Sequence, residues 1–446
     1  MTTGYQEYQL TDIDWLKEVP STWQISSLKR AVEGCVNGIW GDEPDGENDL
    51  IVLRVADFDR SANAVADDKL TYRAITQKER SSRLLKRGDL LIEKSGGGEK
   101  TLVGAVVLFD KAYQAVTSNF VAKMTPKSGF DSRFLNYVFA HLYSGNVNYP
   151  CIKQTTGIQN IDSDAYLSSY FAYPAQPEQK LIANYLDIES SRIDSLISEK
   201  QRFIELLKEK RQALISHVVT KGLDANVEMK DSGVEWMGSI PAHWNVKKLK
   251  TIGKAIIGLT YSPDDVQDDG TIVLRSTNIQ EGKISLHDNV YVDKQIPAKL
   301  TTKLNDILIC SRNGSRKLIG KNALIDEKSV GMSFGAFTTV FRSDINKFVH
   351  LLLNSSLFDY QAGMFLTTTV NQLTTGMLNN FEVPVPPIEE QSAIVDEANR
   401  QTEKFDLLIK ETICSIDLLK EHRSALISAA VTGKIDVRGF DNKGAA

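Results

Sequence analysis

No apolar run in the 446-residue chain approaches the ~18 residues that a membrane-spanning helix needs. The start, Met1-Thr-Thr-Gly-Tyr-Gln-Glu7, has neither a basic nor an apolar region, so neither a membrane span nor a secretory signal is expected. Cysteine is scarce. Cys35, Cys151, Cys310 and Cys414 lie far apart with no C-x-x-C pair, which points to reduced thiols in the cytoplasm rather than a disulfide framework. The six histidines include none at ligand spacing from another His or a Cys, so no zinc site is expected.

Catalytic signatures are missing too. Ser95-Gly-Gly-Gly-Glu-Lys-Thr101 invites a phosphate-loop reading, but G-x-x-x-x-G-K-[ST] requires Gly where Lys94 and Glu99 stand. A nuclease would place a lysine two residues beyond its second acid; after Asp89 and Glu93 the lysine comes one residue early, at Lys94. There is no G-x-S-x-G and no H-E-x-x-H. The N/D-P-P-Y/F motif and Gly-rich cofactor loop of an adenine amino-methyltransferase are absent as well. These absences indicate a chain that carries out no chemistry itself. The net charge of −5 would argue against nucleic acid, but a local basic groove can sit on an acidic protein.

What the chain does have is repetition. Glu178 to Gly222 reappears without a gap as Glu390 to Lys434, 212 residues on, closing in Arg211-Gln-Ala-Leu-Ile-Ser-His-Val-Val-Thr220 and Arg423-Ser-Ala-Leu-Ile-Ser-Ala-Ala-Val-Thr432. Apolar residues fall at Ile193, Leu196, Ile197, Ile204, Leu207 and Leu214 in the first copy. In the second they fall at Phe405, Leu408, Ile409, Ile416, Leu419 and Leu426. Steps of three, four and seven, with no Pro or Gly inside, predict one long helix per copy with a narrow apolar stripe. Each stripe must be buried against something, and the other helix is the natural partner, in an antiparallel coiled coil.

The rest is duplicated at nearby offsets. Trp15-Leu-Lys-Glu-Val-Pro-Ser-Thr-Trp23 answers Trp236-Met-Gly-Ser-Ile-Pro-Ala-His-Trp244, and Ile51-Val-Leu-Arg54 answers Ile272-Val-Leu-Arg275, both 221 residues apart. Asp89-Leu-Leu-Ile92 answers Asp306-Ile-Leu-Ile309 at 217, and Thr-rich turns near Thr156 and Thr368 fall at 212. Each globular half reads as mixed and β-rich, with strand-like runs at 89–93, 102–109, 306–310 and 318–325, and short helical patterns at 132–143 and 347–358. The fold class expected is α+β: two β-rich domains and two long helices, a tandem duplication with pseudo-two-fold symmetry. Pro-bearing segments at 173–177 and 383–387 read as hinges before each long helix.

Polar loops follow the strands at matching places in both halves. Lys94, Ser95, Gly96, Gly97 and Lys100 occupy the place in the first half that Ser311, Arg312, Asn313, Ser315, Arg316 and Lys317 occupy in the second. A second pair holds Gln154, Thr155, Thr156, Gln159 and Asn160 in one half and Thr368, Thr369, Asn371 and Gln372 in the other. Glycine lets backbone N–H groups approach phosphate, and Arg, Asn and Gln side chains reach base edges; with Arg54 and Arg275 these are the candidate DNA-binding residues. For any one loop, a solvated turn is an equally good reading; the matching occurrence in both halves favours contact.

The order Trp-x4-Pro-x2-Trp, strand-Arg, Asp-x-Leu-Ile, Gly-containing loop, Glu-Gln and a long helix ending in Arg-x-Ala-Leu-Ile-Ser-x-x-Val-Thr, given twice, resembles the specificity subunit of Type I restriction-modification systems. The resemblance covers nearly the whole chain. It implies target recognition domains at 1–175 and 223–385, a central helix at 176–222, a distal helix at 386–434 and a tail at 435–446. Each recognition domain would read one half of a bipartite site in double-stranded DNA. The helices would set the spacer and dock two methyltransferase subunits, with restriction subunits joining that core. No cofactor is expected in this chain, S-adenosylmethionine, ATP and Mg²⁺ being used by the partners. Arg312-Asn-Gly departs from the Gly-Gly loop of the first half, as a domain reading another sequence would. Two rivals from other classes stay open. A self-contained DNA-modifying or cleaving enzyme would act on DNA alone, and a coiled-coil scaffold would have no DNA affinity.

Overall fold

The computed structural model describes residues 4–97, 101–155, 157–365 and 371–440. It divides into two compact units, 1–199 with 414–446 and 200–413, so each long helix contributes to both. The helices are Gln176–Lys221 and Ile388–Val431, each about 65 to 70 Å long at ~1.5 Å per residue.

In the first unit, a six-stranded sheet runs in the order Val36–Asn37, Val121–Met124, Leu90–Glu93, Val106–Leu108, Ala64–Val65, Phe58–Asp59. A three-stranded sheet of Ala115–Thr117, Asp49–Leu53 and Tyr72–Ala74 lies beside it in sequence, its first pair parallel. Helix Ser132–Ser144 starts where Asp131 accepts from the N–H groups of Arg133 and Phe134, and it buries Phe134, Leu135, Val138 and Phe139 in the main core. That core also takes Ile182, Ala183 and Leu186 from one long helix and Ile427, Ala430 and Val431 from the other.

The second unit repeats the plan with a four-stranded sheet, Lys254–Ile257, Thr338–Arg342, Ile307–Cys310, Asn322–Leu324. The helical pattern expected at 347–358 is broken into Asn346–Leu353 and Ser356–Phe365. Asn354 Nδ2 donates to the His350 carbonyl at 2.7 Å and Ser355 Oγ to the Leu352 carbonyl at 2.6 Å. Such local bonds compete with the helical ladder and end it. The strand runs expected at 102–109 and 318–325 are shorter, Val106–Leu108 and Asn322–Leu324.

The repeated Trp and Glu-Gln motifs meet. Trp23 Nε1 donates to Glu178 at 3.1 Å and Trp244 Nε1 to Glu390 at 2.9 Å. Gln179 and Gln391 then donate to the carbonyls of Pro174 and Pro386, tying each Pro-bearing segment to its helix. Both carboxylates lie in the first helical turn, where the helix dipole favours negative charge.

Within each unit the two long helices pack against each other in antiparallel directions. In the first unit Asp194 meets Arg423, and in the second Arg211 meets Asp406. Burial along the first helix follows Leu186, Ser190, Ile193, Ile197, Lys200, Ile204, Leu207, Arg211, Leu214 and Val218, in alternating steps of four and three. The second helix repeats it at Ala398, Thr402, Phe405, Ile409, Thr412, Ile416, Leu419, Arg423, Leu426 and Ala430. This is a heptad seam. It corrects two expected interface residues, for Leu196 and Leu408 are 39% and 41% exposed. Adjacent residues lie about 100° apart on a helix, so the seam takes Ile197 and Ile409 and turns Leu196 and Leu408 outward.

Candidate nucleic-acid interface

In both halves the two candidate loops are brought together at the end of a buried strand. Leu90–Glu93 leads into Ser95–Gly96, which pairs antiparallel with Ile158–Ile161, Ser95 opposite Asn160 and Gly96 opposite Gln159. Ile307–Cys310 leads into Ser311 and Arg312, and Arg312 forms an antiparallel bridge with Gln372. Ser95 and Arg312 are equivalent by the 217 offset, Asn160 and Gln372 by the 212 offset. The same pairing is thus built twice from different side chains.

A third segment completes the ridge. The Phe120 carbonyl accepts from the N–H groups of Lys94 and Ser95 at 2.8 and 3.2 Å, and the Phe337 carbonyl from those of Ser311 and Arg312 at 3.0 Å each. Phe120 and Phe337 sit in turns between strands and are 47% and 62% exposed. Behind each turn runs a glycine that no other residue can replace. A Cβ on Gly38 would fall 2.1 Å from the Thr117 carbonyl oxygen, and one on Gly258 would fall 2.3 Å from that of Phe334.

Beside each aromatic turn lies an open pocket, of about 560 Å³ in the first half and 600 Å³ in the second. Trp40, Arg54, Phe120 and Ile158 line the first; Tyr261, Arg275, Val290 and Phe337 line the second. Reasoning from the sequence overlooked Phe120, Phe337, Trp40 and Tyr261, although the 217 offset that links Lys94 to Ser311 also links the two phenylalanines.

The candidate residues differ in how committed they are. Arg54 forms a two-point ion pair with the buried Asp57, Nη2 to Oδ1 at 2.8 Å and Nε to Oδ2 at 3.2 Å, and this hydrogen bonding raises the guanidinium's pKa further. Arg275 reaches Asp288 at 2.9 Å, with Asn278 taking the place of Asp57 against its backbone N–H. Lys94 Nζ donates to Asn37 at 2.8 Å, and Ser95 Oγ to Asn160 at 2.5 Å. Gln159 is buried and accepts from the Val103 N–H, and Ser311 is buried with its hydroxyl on Thr339 at 2.6 Å, so both serve the ridge from within. Gly96 and Gly97 lie on the ridge and Gln154 is exposed beside it.

On the second ridge, Asn313 accepts from the Ser315 N–H, and Asn371 Nδ2 donates to the Gly314 carbonyl at 3.0 Å. Arg312, Ser315, Arg316 and Lys317 are exposed. Among the described residues, no carboxylate lies within ion-pair distance of Arg312, Arg316 or Lys317. Lys100, Thr156, Thr368 and Thr369 fall outside the described residues, as does the side chain of Thr155.

The acids that suggested a nuclease are occupied. Asp89 is buried and accepts from Thr125 Oγ1 and the Lys86 N–H, both at 2.7 Å. Glu93 is buried beside Arg60 at 2.6 Å; burial pushes its carboxyl up while Arg60 pulls it down. At the position equivalent to Glu93 the second half has Cys310, whose thiol burial also pushes up. No group of three His, Cys, Asp or Glu side chains among the described residues is placed to hold a metal ion. No helix there is long and apolar enough to cross a membrane.

Residues 241–411 match the family model described as Type I restriction modification DNA specificity domain. The chain is similar in sequence to proteins named as Type I specificity subunits. The Escherichia coli (strain K12) protein named Type I restriction enzyme EcoKI specificity subunit is 27% identical over 208 residues, 44% of this chain and 44% of that protein. The MjaVIII specificity subunit of Methanocaldococcus jannaschii is 27% identical over 298 residues, 64% of this chain and 67% of its own length. The chain thus spans less than half of the first specificity subunit and two thirds of the second. A solved chain from work on complex assembly and conformational transition of the type I R-M system shares the fold, with a TM-score of 0.66 and 14% identity. That match covers 93% of this chain and 98% of the other.

Proposed function

We propose that the chain is the sequence-specific DNA-binding subunit of a Type I restriction-modification complex, each globular half reading one half of a bipartite duplex site. The observation that carries this reading is the ridge built twice on the same main-chain bonds with different outward side chains, Ser95 and Asn160 in one half and Arg312 and Gln372 in the other. Shared main chain with divergent readers suits two half-sites of different sequence. The recognition domains are 1–175 and 223–385, and the helices between them set the spacer and dock two methyltransferase subunits. Restriction subunits join this core. S-adenosylmethionine, ATP and Mg²⁺ belong to those partners, and the chain acts in the cytoplasm, where its DNA lies.

The test is methylation-sensitive sequencing of the host genome with and without the gene, followed by replacement of residues 1–175 with the matching segment of a relative. A bipartite N6-methyladenine motif should depend on the gene, and the replacement should change one half of it alone. Change in both halves sinks the modular reading, and methylation or cleavage by the purified chain alone sinks the non-enzymatic one.

A further inference from the structure

The Phe120 and Phe337 rings have no part in tethering the ridge. It is the carbonyl of each that accepts the two N–H groups, and any residue at these turns supplies a carbonyl. Yet both halves place an exposed phenylalanine there, lining an open pocket. One exposed ring is ordinary, but two at equivalent positions beside diverged loops call for a contact made outside the chain.

The chemistry around Phe337 narrows the occupant. The Arg312 guanidinium lies over its ring, 5.7 Å from the centroid, so a group that meets the exposed phenyl also meets a guanidinium. Arg312, Arg316 and Lys317, exposed and without a carboxylate at ion-pair distance among the described residues, favour a polyanion. On the major-groove edge of duplex DNA the 5-methyl group of thymine is the apolar feature, and guanine O6 and N7 are what a guanidinium grips. An Arg lying against an apolar ring suits a thymine next to a guanine.

Resting on the DNA-recognition reading above, we propose that Phe337 and its pocket form a specificity contact with a thymine 5-methyl group in the half-site read by residues 223–385, Arg312 taking the neighbouring guanine, and that Phe120 makes the corresponding methyl contact in the other half-site. In the first half Ser95 stands where Arg312 does and is bonded to Asn160. The guanine requirement therefore belongs to the second half-site.

The experiment uses the full chain co-purified with its methyltransferase partner and a labelled duplex carrying the motif from genome methylation. Each thymine is replaced singly by deoxyuridine, which removes the methyl group and keeps the base pair. At one thymine of the second half-site the replacement should weaken binding about four-fold, the value of one buried methyl group. Phe337→Ala should weaken binding to the thymine duplex by a similar factor and be indifferent to uracil, while Phe337→Leu keeps the preference. The proposal is overturned if no deoxyuridine position matters, if that half-site lacks thymine, or if Phe337→Ala weakens motif and random duplex alike, as a wedge or backbone contact would. A wild-type complex that does not prefer the motif over random duplex overturns the DNA-recognition reading itself.

Discussion

Removing the Glu178 carboxylate should loosen the first unit while leaving the second intact. Glu178 Oε1 accepts from the Tyr5 hydroxyl at 2.6 Å and from Trp23 Nε1 at 3.1 Å, and both donor side chains are less than 10% exposed. Glu178→Ala strands a buried indole N–H, at a cost of about 1 to 3 kcal/mol. It also removes a negative charge from the first turn of the helix Gln176–Lys221, worth roughly 0.3 to 1 kcal/mol. The expected loss is about 1 to 4 kcal/mol, and Glu178→Gln, which keeps an acceptor oxygen, should lose roughly half of that. Two units make a single unfolding transition unsafe, so hydrogen exchange read by mass spectrometry is the better assay. Peptides from 1–199 and 414–440 should lose protection, and those from 200–413 should keep it. Glu390→Ala, which strands the fully buried Trp244, should give the mirror result. Protection unchanged in Glu178→Ala, or lost equally in both units, would refute the argument that this carboxylate fastens its own domain.

Arg54 and Arg312, both candidate contacts, should separate in solution. Arg54→Ala leaves the buried Asp57 unpaired and should cost the first unit about 2 to 3 kcal/mol of stability, read as lost hydrogen-exchange protection in its peptides, whereas Arg312→Ala should leave protection unchanged and cost about 1 to 3 kcal/mol of preference at one motif position in a binding assay. His350 is held down from 6.5 to about 4, first by burial and then by Arg211, so the unfolded chain binds its proton more readily than the folded one. Stability should be flat above about pH 7, fall as pH drops from about 6.5 toward 4 by on the order of 3 kcal/mol, and level off below; His350→Gln should flatten that stretch of the curve. Four residues inserted between Lys200 and Gln201 lengthen one helix by about 6 Å and approximately keep its seam, so the spacer in the methylated motif should grow by about one or two base pairs. An unchanged spacer in a variant that still methylates would assign the gap to the Pro-bearing segments instead.

Much of this molecule was legible in the sequence because duplication makes every residue its own control. The 212 offset exposed both long helices, and the 217 and 212 offsets paired loops that the fold does bring together. Periodicity alone left Leu196 and Ile197 undecided, since both fit a stripe of steps of three and four. The polar seam positions Ser190, Thr402, Arg211 and Arg423 decide it, and apolar pattern cannot register them. The helix break at Asn354 and Ser355 depends on side chains turning back onto their own carbonyls, which residue type permits but does not dictate. Phe120 and Phe337 were overlooked because a phenylalanine near a strand reads as core, and exposure is a property of the turn that carries it.

The ridge also suggests how one scaffold can accommodate different sequences. Its four tethering bonds run from main-chain N–H groups to the carbonyls of Phe120 and Phe337, so they are indifferent to the side chains of Lys94, Ser95, Ser311 and Arg312. The interior holds it from below through buried groups, with Gln159 on the Val103 N–H in one half and Ser311 on Thr339 in the other. A substitution at the outward positions 95, 160, 312 or 372 therefore leaves the fold standing, while one at Gly38 or Gly258 drives a Cβ into a carbonyl oxygen and displaces the turn. Divergence should gather at the first set and be barred from the second. A library randomised at 312 and 372 and selected for methylation should return folded variants with altered second half-sites, whereas Gly258→Ala should lose activity on every site.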